Sequence, residues 1–344
     1  MLGSTLYEHK QFLQPFARAF PRARVLCAPG QWSWPLNLPL GVARAEEIDD
    51  DGAVGMLPPE LECATLDLPP VGLNTDVRFS EVALYHRPTR TLMVTDAVMR
   101  LDARAPPPTV SARDLLEWAD DRNIAITGLR LLRLFGVEEA SQRYGLLRAK
   151  ERPDGEAQAL GWQRMALTSL YFGQADVLRP RESFERLSER ALVVPPVVGV
   201  VVYGDGEEGG VADDVSEWAE RVARWPFERV APAHFAVARA TPREWREAFA
   251  QWRAAARAVA PGGGRSSAQG GIDALVESLA SPLRGVADAL GGAGSSSREY
   301  YPAADAQCLR DVRQFLIDLG IIFTEDTRPP RPQSRGGTRG VPRR

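Results

Sequence analysis

Three histidines, His9, His86 and His234, are all that this chain of 344 residues carries. Imidazole nitrogens together with carboxylate oxygens are the usual donors to zinc-like ions, so the acids near these residues matter. Glu8 precedes His9 where a helix should begin. Asp96, next to Thr95, falls at the end of an expected hairpin strand, and His234 ends a short strand, in the loop region where sites on α/β sheets collect. An acid at one strand end, a histidine at another and a Glu-His pair at a helix start make an oxygen and nitrogen ligand set. The plainer alternative is that Asp96 caps a turn and His234 hydrogen-bonds within the core. Cys27, Cys63 and Cys308 are scattered and in no CxxC pair, so neither a disulfide framework nor a thiolate zinc site is indicated, and a reducing compartment fits best.

Gly204 to Gly209 matches GxGxxG after an expected strand and before an expected helix. The match is rejected, because Glu207 and Glu208 would aim negative charge at a pyrophosphate, and Glu228, the next acid at a suitable distance, precedes its strand. GK[ST], GxSxG and HExxH motifs are absent from the sequence.

Hydrophobic spacing supplies the elements that must position these residues. Phe12, Leu13, Phe16, Ala17 and Phe20 follow a helical period from His9 until Pro21 stops it. Arg24 to Ala28 reads as a buried strand, the acidic run Glu46 to Asp51 as a solvated excursion, and Leu61 to Leu68 as renewed structure. Val82, Leu84, Leu92 and Val94 alternate with polar neighbours in a hairpin from Glu81 to Val98, turning near Pro88 to Arg90 and central in a sheet. Ser111 and Asp114 form a capping box, and helices follow over Leu129 to Phe135 and Gly161 to Phe172, with a charged loop, Lys150 to Glu156, between them. Val197 to Tyr203 reads as a strand. Asp213 is expected to cap a helix with Val215, Trp218, Ala219 and Val222 on one face. Arg229 to Ala231 is a strand that delivers His234. Thr241, Pro242 and Glu244 start a helix striped by Trp245, Phe249, Trp252 and Ala256, and Leu309 to Leu319 form the last one.

The composition, 44% hydrophobic and 25% charged with a net charge of -3, is that of a core-forming chain. Lys10 and Lys150 are the only lysines, so forty of the 42 basic residues are arginine, mostly interleaved with acids as on a salt-bridged surface. The longest apolar run, Ala191 to Tyr203, is interrupted by Pro195 and Pro196 and is too short for a membrane span, and no signal or transit peptide is legible. Residues 1–260 read as one domain, 261–271 as a Gly/Ser linker, 272–324 as C-terminal helices and 325–344 as a disordered tail. Six tail arginines offer only weak, salt-sensitive attraction to nucleic acid, so no nucleic-acid partner is expected.

The order Glu8-His9, a helix, "FPRARVLCAPGQWSWPLNLP", "EVALYHRPTRTLMVTDAV" and "WPFERVAPAHF" resembles an uncharacterised plant, algal and cyanobacterial family, a domain of unknown function similar to divergent metallo-β-lactamase superfamily members. The resemblance runs from His9 to about His234 and returns over "REYYPAADAQCLRDVRQFLIDLG". It implies an α/β fold, an αββα sandwich truncated at its N-terminus and followed by C-terminal helices. It aligns Glu8 and His9 with the end of the HxHxDH signature, whose other two histidine positions hold Ser4 and Leu6. Asp96 matches the bridging aspartate and His234 the final histidine, and His86 lies inside a strand. The first metal site is thereby dismantled, whereas Glu8, His9, Asp96 and His234 would furnish a single site for zinc or iron. The resemblance thus implies a degenerate protein without efficient hydrolase activity, binding a small molecule or protein partner or serving as a scaffold. The alternative is a single-metal hydrolase of a small ester, thioester or phosphoester. Chloroplast location is implied by the resemblance alone, and otherwise a cytoplasmic one. Strands missing ahead of the HxHxDH loop would leave an exposed sheet edge and favour association with another chain.

Overall fold

The computed structural model describes residues 13–28, 45–48, 57–70, 78–103, 106, 110–127, 146–153, 155–171, 177–204, 210–258, 300–301 and 303–318. Glu8, His9, the helix expected over Leu129 to Phe135, most of the GxGxxG stretch, the Gly/Ser linker, the helix before residue 290 and the tail lie outside them. Among the described residues the chain is a mixed α/β protein, and no helix is long and apolar enough to cross a membrane.

The main sheet has four strands in the order β3 (Leu61–Pro70), β4 (Arg78–His86), β5 (Thr91–Val94) and β6 (Arg229–Pro232). The first three are antiparallel, and β6 returns parallel to β5. The expected hairpin is thus β4–β5, and it is central. Its alternating pattern has two buried faces, because side chains two residues apart share a side. Leu66, Phe79, Ala83, Tyr85, Leu92 and Val94 point into the large core under the helices. Val82 and Leu84, with Cys63 and Met93, point the other way, against Leu26, Ala28 and Ile48. That second layer is a small parallel pair, β1 (Val25–Cys27) and β2 (Ala45–Glu47). The start of the acidic run is therefore a strand and not a solvated excursion: Ile48 is wholly buried, and Glu46 is bridged to Arg24 at 2.8 Å.

The helical side is built on indoles. Helix α1 (Leu13–Ala19) lies near the start, and α2 (Ala112–Ala119) opens with the expected Ser111–Asp114 capping box. Helix α3 (Glu156–Tyr171) crosses α2 so closely that a Cβ on Gly161 would lie 1.8 Å from the Leu115 carbonyl oxygen. Arg164, on α3, is fully buried and spends its guanidinium on the Val177 and Trp118 carbonyls and on Asp121 at 2.6 Å, which Arg152 also holds at 2.8 Å. A buried charge so fully hydrogen-bonded fixes the register of these helices, and removing one partner would be strongly destabilising. Helix α4 (Arg181–Ser188) follows. Helix α5 (Val211–Val222) lies on β3, with the Trp218 indole N–H donating to the Ala64 carbonyl at 2.9 Å. It begins after Gly210, and not under an Asp213 cap. Asp213 sits inside the first turn, where the helix dipole also favours an acid, and pairs with Arg253. Helix α6 (Pro242–Ala258) buries Trp245, Phe249 and Trp252 as its stripe requires.

Val197 to Tyr203 is not a strand. Val198–Val202 form a π-helical turn, with Tyr203 N–H donating to the Val198 carbonyl. A short valine run is ambiguous by pattern, and tertiary contacts decided it. Gly199 has room for Trp252 only because it has no side chain: a Cβ there would be 2.7 Å from Trp252 Cδ1, and the indole N–H donates to the Gly199 carbonyl at 2.8 Å. The chain returns at Tyr300 and Tyr301. Val194 N–H donates to Tyr300 Oη at 3.0 Å, Tyr301 Oη donates to the Val194 carbonyl at 2.7 Å, and α7 (Ala303–Asp318) adds Ala306 and Leu309 to the same core.

Candidate functional site

The β4–β5 ladder runs from His86–Thr91 to Leu84–Met93, and after Val94 the chain leaves it. The amides of Thr95 and Asp96 then need other acceptors, since unpaired buried N–H groups are costly. Glu81 supplies both. Its side chain is fully buried on the core-facing side of β4, Oε1 accepting from Thr95 N–H at 2.8 Å and Oε2 from Asp96 N–H at 2.9 Å. The turn at Asp96 is thus capped by Glu81.

β6 brings the other half. Pro232 pairs with Val94, so the residues after each strand emerge side by side. Ala233 N–H donates to the Thr95 carbonyl and Ala236 N–H to the Arg100 carbonyl, both at 3.2 Å, while Val230 and Ala238 exchange two backbone bonds of 2.9 Å. Residues 230–238 therefore form a closed turn fastened to residues 95–100. His234 sits in it with Nε2 3.3 Å from Asp96 Oδ1; its side chain is 47% exposed and that of Asp96 10%. Phe235, the next residue, has φ +66°, an uncommon conformation for a bulky side chain that persists only where surroundings enforce it. Here its backbone bridges to Arg100 and its ring lies 5.9 Å from that of Trp162, whose indole N–H donates to the Asp102 carbonyl.

Tyr203 is buried in the core, edge-on to Phe79 and Trp252. Burial, then the nearby Glu81 and Asp96 carboxylates, push its phenol well above the usual range, so it is a neutral hydroxyl beside two acids.

Of the residues expected from the sequence, the structure brings Asp96 and His234 together, and Glu8 and His9 lie outside the described residues. His86 is apart, as expected. It pairs with Thr91 at the hairpin end and meets Thr89 Oγ1 through Nδ1 at 2.7 Å, at the opposite end of β5 from Asp96. Among the described residues no group of three or more His, Cys, Asp and Glu side chains is placed to hold a metal. Sequence reasoning missed Glu81, Tyr203 and Phe235. For Glu81 a signal existed: it interrupts the inward series Phe79, Ala83, Tyr85, and a charge in an apolar series marks a group with a specific partner.

The family model described as "Domain of unknown function (DUF4336)" matches residues 1–181 and 178–251. The chain belongs to this family. The match spans α1 to most of α6 and includes Glu81, Asp96 and His234. No curated protein and no solved structure matches the chain.

Proposed function

We propose that this DUF4336 protein is a divergent metallo-β-lactamase-like chain whose Asp96–His234 corner is a one-ion binding site, serving recognition of a small molecule or protein partner and not efficient hydrolysis. The observation that supports it is the meeting of Asp96 Oδ1 and His234 Nε2 at 3.3 Å from the ends of two adjacent parallel strands. Two donors on one tetrahedral ion with bonds of about 2.0–2.1 Å are separated by roughly 3.4 Å, so the spacing of this pair is that of two ligands sharing one zinc or iron ion. In the register of the resemblance, Glu8 and His9 complete the set. A single bound ion supplies Lewis acidity and lowers the pKa of its own water, but lacks the second ion that a bridging hydroxide needs. Asp96 and His234 bind, Glu81 fixes the turn that carries Asp96, and the Trp162–Phe235 contact holds the histidine turn. The half-exposed imidazole leaves the corner open to solvent, which favours the second reading, a single-metal hydrolase of a small ester, thioester or phosphoester.

Metal analysis of protein purified without chelator, with and without Asp96→Ala, tests the reading. Zinc or iron near one per chain, lost in Asp96→Ala, together with near-background turnover of esters, thioesters and phosphoesters, is the expected result. Robust turnover abolished by Asp96→Ala establishes the hydrolase instead. A wild-type chain that takes up neither zinc nor iron at saturating supply refutes the metal corner.

A further inference from the structure

We infer that Glu81 is a positioning residue for the Asp96–His234 corner, a buried carboxylate whose task is to aim Asp96. The inference deepens the metal reading above and rests on it only where binding is measured. β4 delivers Glu81 from inside the core, where an ionised carboxylate is costly unless its oxygens are hydrogen-bonded. Each oxygen accepts one amide, from Thr95 and from Asp96, at 2.8 and 2.9 Å. These are consecutive amides, so the two bonds hold the two successive peptide units on either side of Thr95, and the bond from the Asp96 amide fixes the unit that joins Thr95 to Asp96 and with it the direction of the Asp96 Cα–Cβ bond. The same peptide is held from the other side, where the Thr95 carbonyl accepts from Ala233 N–H, one residue before His234. Glu81 therefore sets the position of both members of the pair through one peptide unit. A backbone acceptor from a neighbouring strand could satisfy either amide but not both in this orientation, because β5 has already left the ladder. A neutral hydrophobic residue at this inward position would extend the core and leave two amides without acceptors, which explains why an acid stands where its neighbours Phe79 and Ala83 are apolar.

Glu81→Gln keeps the shape and alters the chemistry: the amide oxygen accepts one N–H and the amide nitrogen is turned against the other. Backbone amide hydrogen exchange at Thr95 and Asp96 and Co(II) binding followed by its visible spectrum are measured in wild type, Glu81→Gln and Ser111→Ala. The last removes the exposed N-cap of α2, a modest loss of stability on an element that holds no residue of the turn. In Glu81→Gln both amides should exchange at least about tenfold faster than in wild type, and Co(II) affinity should fall about 10- to 100-fold, as for loss of an outer-shell partner. Ser111→Ala should leave both readouts in place. Equal Asp96 exchange in wild type and Glu81→Gln overturns the inference, as does equal Co(II) affinity. If the wild type binds no Co(II), the metal reading fails and amide exchange alone decides the role of Glu81. Should Glu81→Gln not fold, scalar couplings across the hydrogen bonds from the Thr95 and Asp96 amide nitrogens to Glu81 Cδ in the wild type decide it. Their absence overturns the assignment.

Discussion

Gly161→Ala should destabilise this protein although it places a better helix former in the middle of a helix. In an exposed helix the exchange is worth roughly 1 kcal/mol in favour of alanine. At this site the new Cβ would stand 1.8 Å from the Leu115 carbonyl oxygen, 2.6 Å from its carbon and 3.0 Å from its Cα, all backbone atoms of α2 that cannot rotate away. Restoring an ordinary contact of about 3.5 Å requires α2 and α3 to part by roughly 1.5–2 Å, which forfeits much of the dispersion between the faces carrying Leu115 and Ala166. Overpacking of this kind costs about 1–3 kcal/mol, and a neighbour that is rigid backbone puts this site at the upper end. Net of the propensity gain, a loss of about 2 kcal/mol is expected. With an unfolding entropy near 2.1 cal/mol/K per residue, that lowers Tm by about 3 °C. Trp162 is the next residue and supports the Phe235 ring, so the histidine turn should also loosen. Thermal melting and urea unfolding of both proteins check the sign. A Gly161→Ala protein that is more stable than wild type refutes the close crossing of α2 and α3.

The start of α6 should be acid-sensitive. The Thr241 hydroxyl and amide hold the Glu244 carboxyl below its ordinary value of 4.5, so its contribution is complete above that pH and is lost as pH falls through the lower folded-state value. Thr241→Ala should remove about 1 kcal/mol at neutral pH, and its deficit relative to wild type should shrink below about pH 4, as read by urea unfolding across pH. Cys27 should be the last cysteine to react. Burial and then Glu47 push its thiol up to about 12, so at pH 8 iodoacetamide should modify the less buried Cys63 and Cys308 first, as mapped by mass spectrometry. Faster labelling of Cys27 than of either would contradict the burial of β1.

Much of the local framework was legible in the residues alone. Ser111 with Asp114, and Thr241 with Glu244, announce helix starts because their side chains reach only their own turn, and the alternation of Val82, Leu84, Leu92 and Val94 announces the hairpin for the same local reason. Asp96 and His234 were also legible as residues at strand ends. Their meeting was not, because it depends on β6 pairing beside β5 across more than 130 residues, a register that no local pattern encodes. The valine run at 198–202 was open to either periodicity until Trp252 packed on Gly199 and closed it as a π-turn. The same holds for Glu46 and Glu81. The sequence determines that an acid stands at each position, and only the tertiary structure decides that Arg24 ties the first into a strand pair and that two amides freed by the end of β5 bury the second. The physical reason is one of range: caps and alternation act over a turn or a few residues, whereas the burial of a charge is decided by groups that only folding brings near.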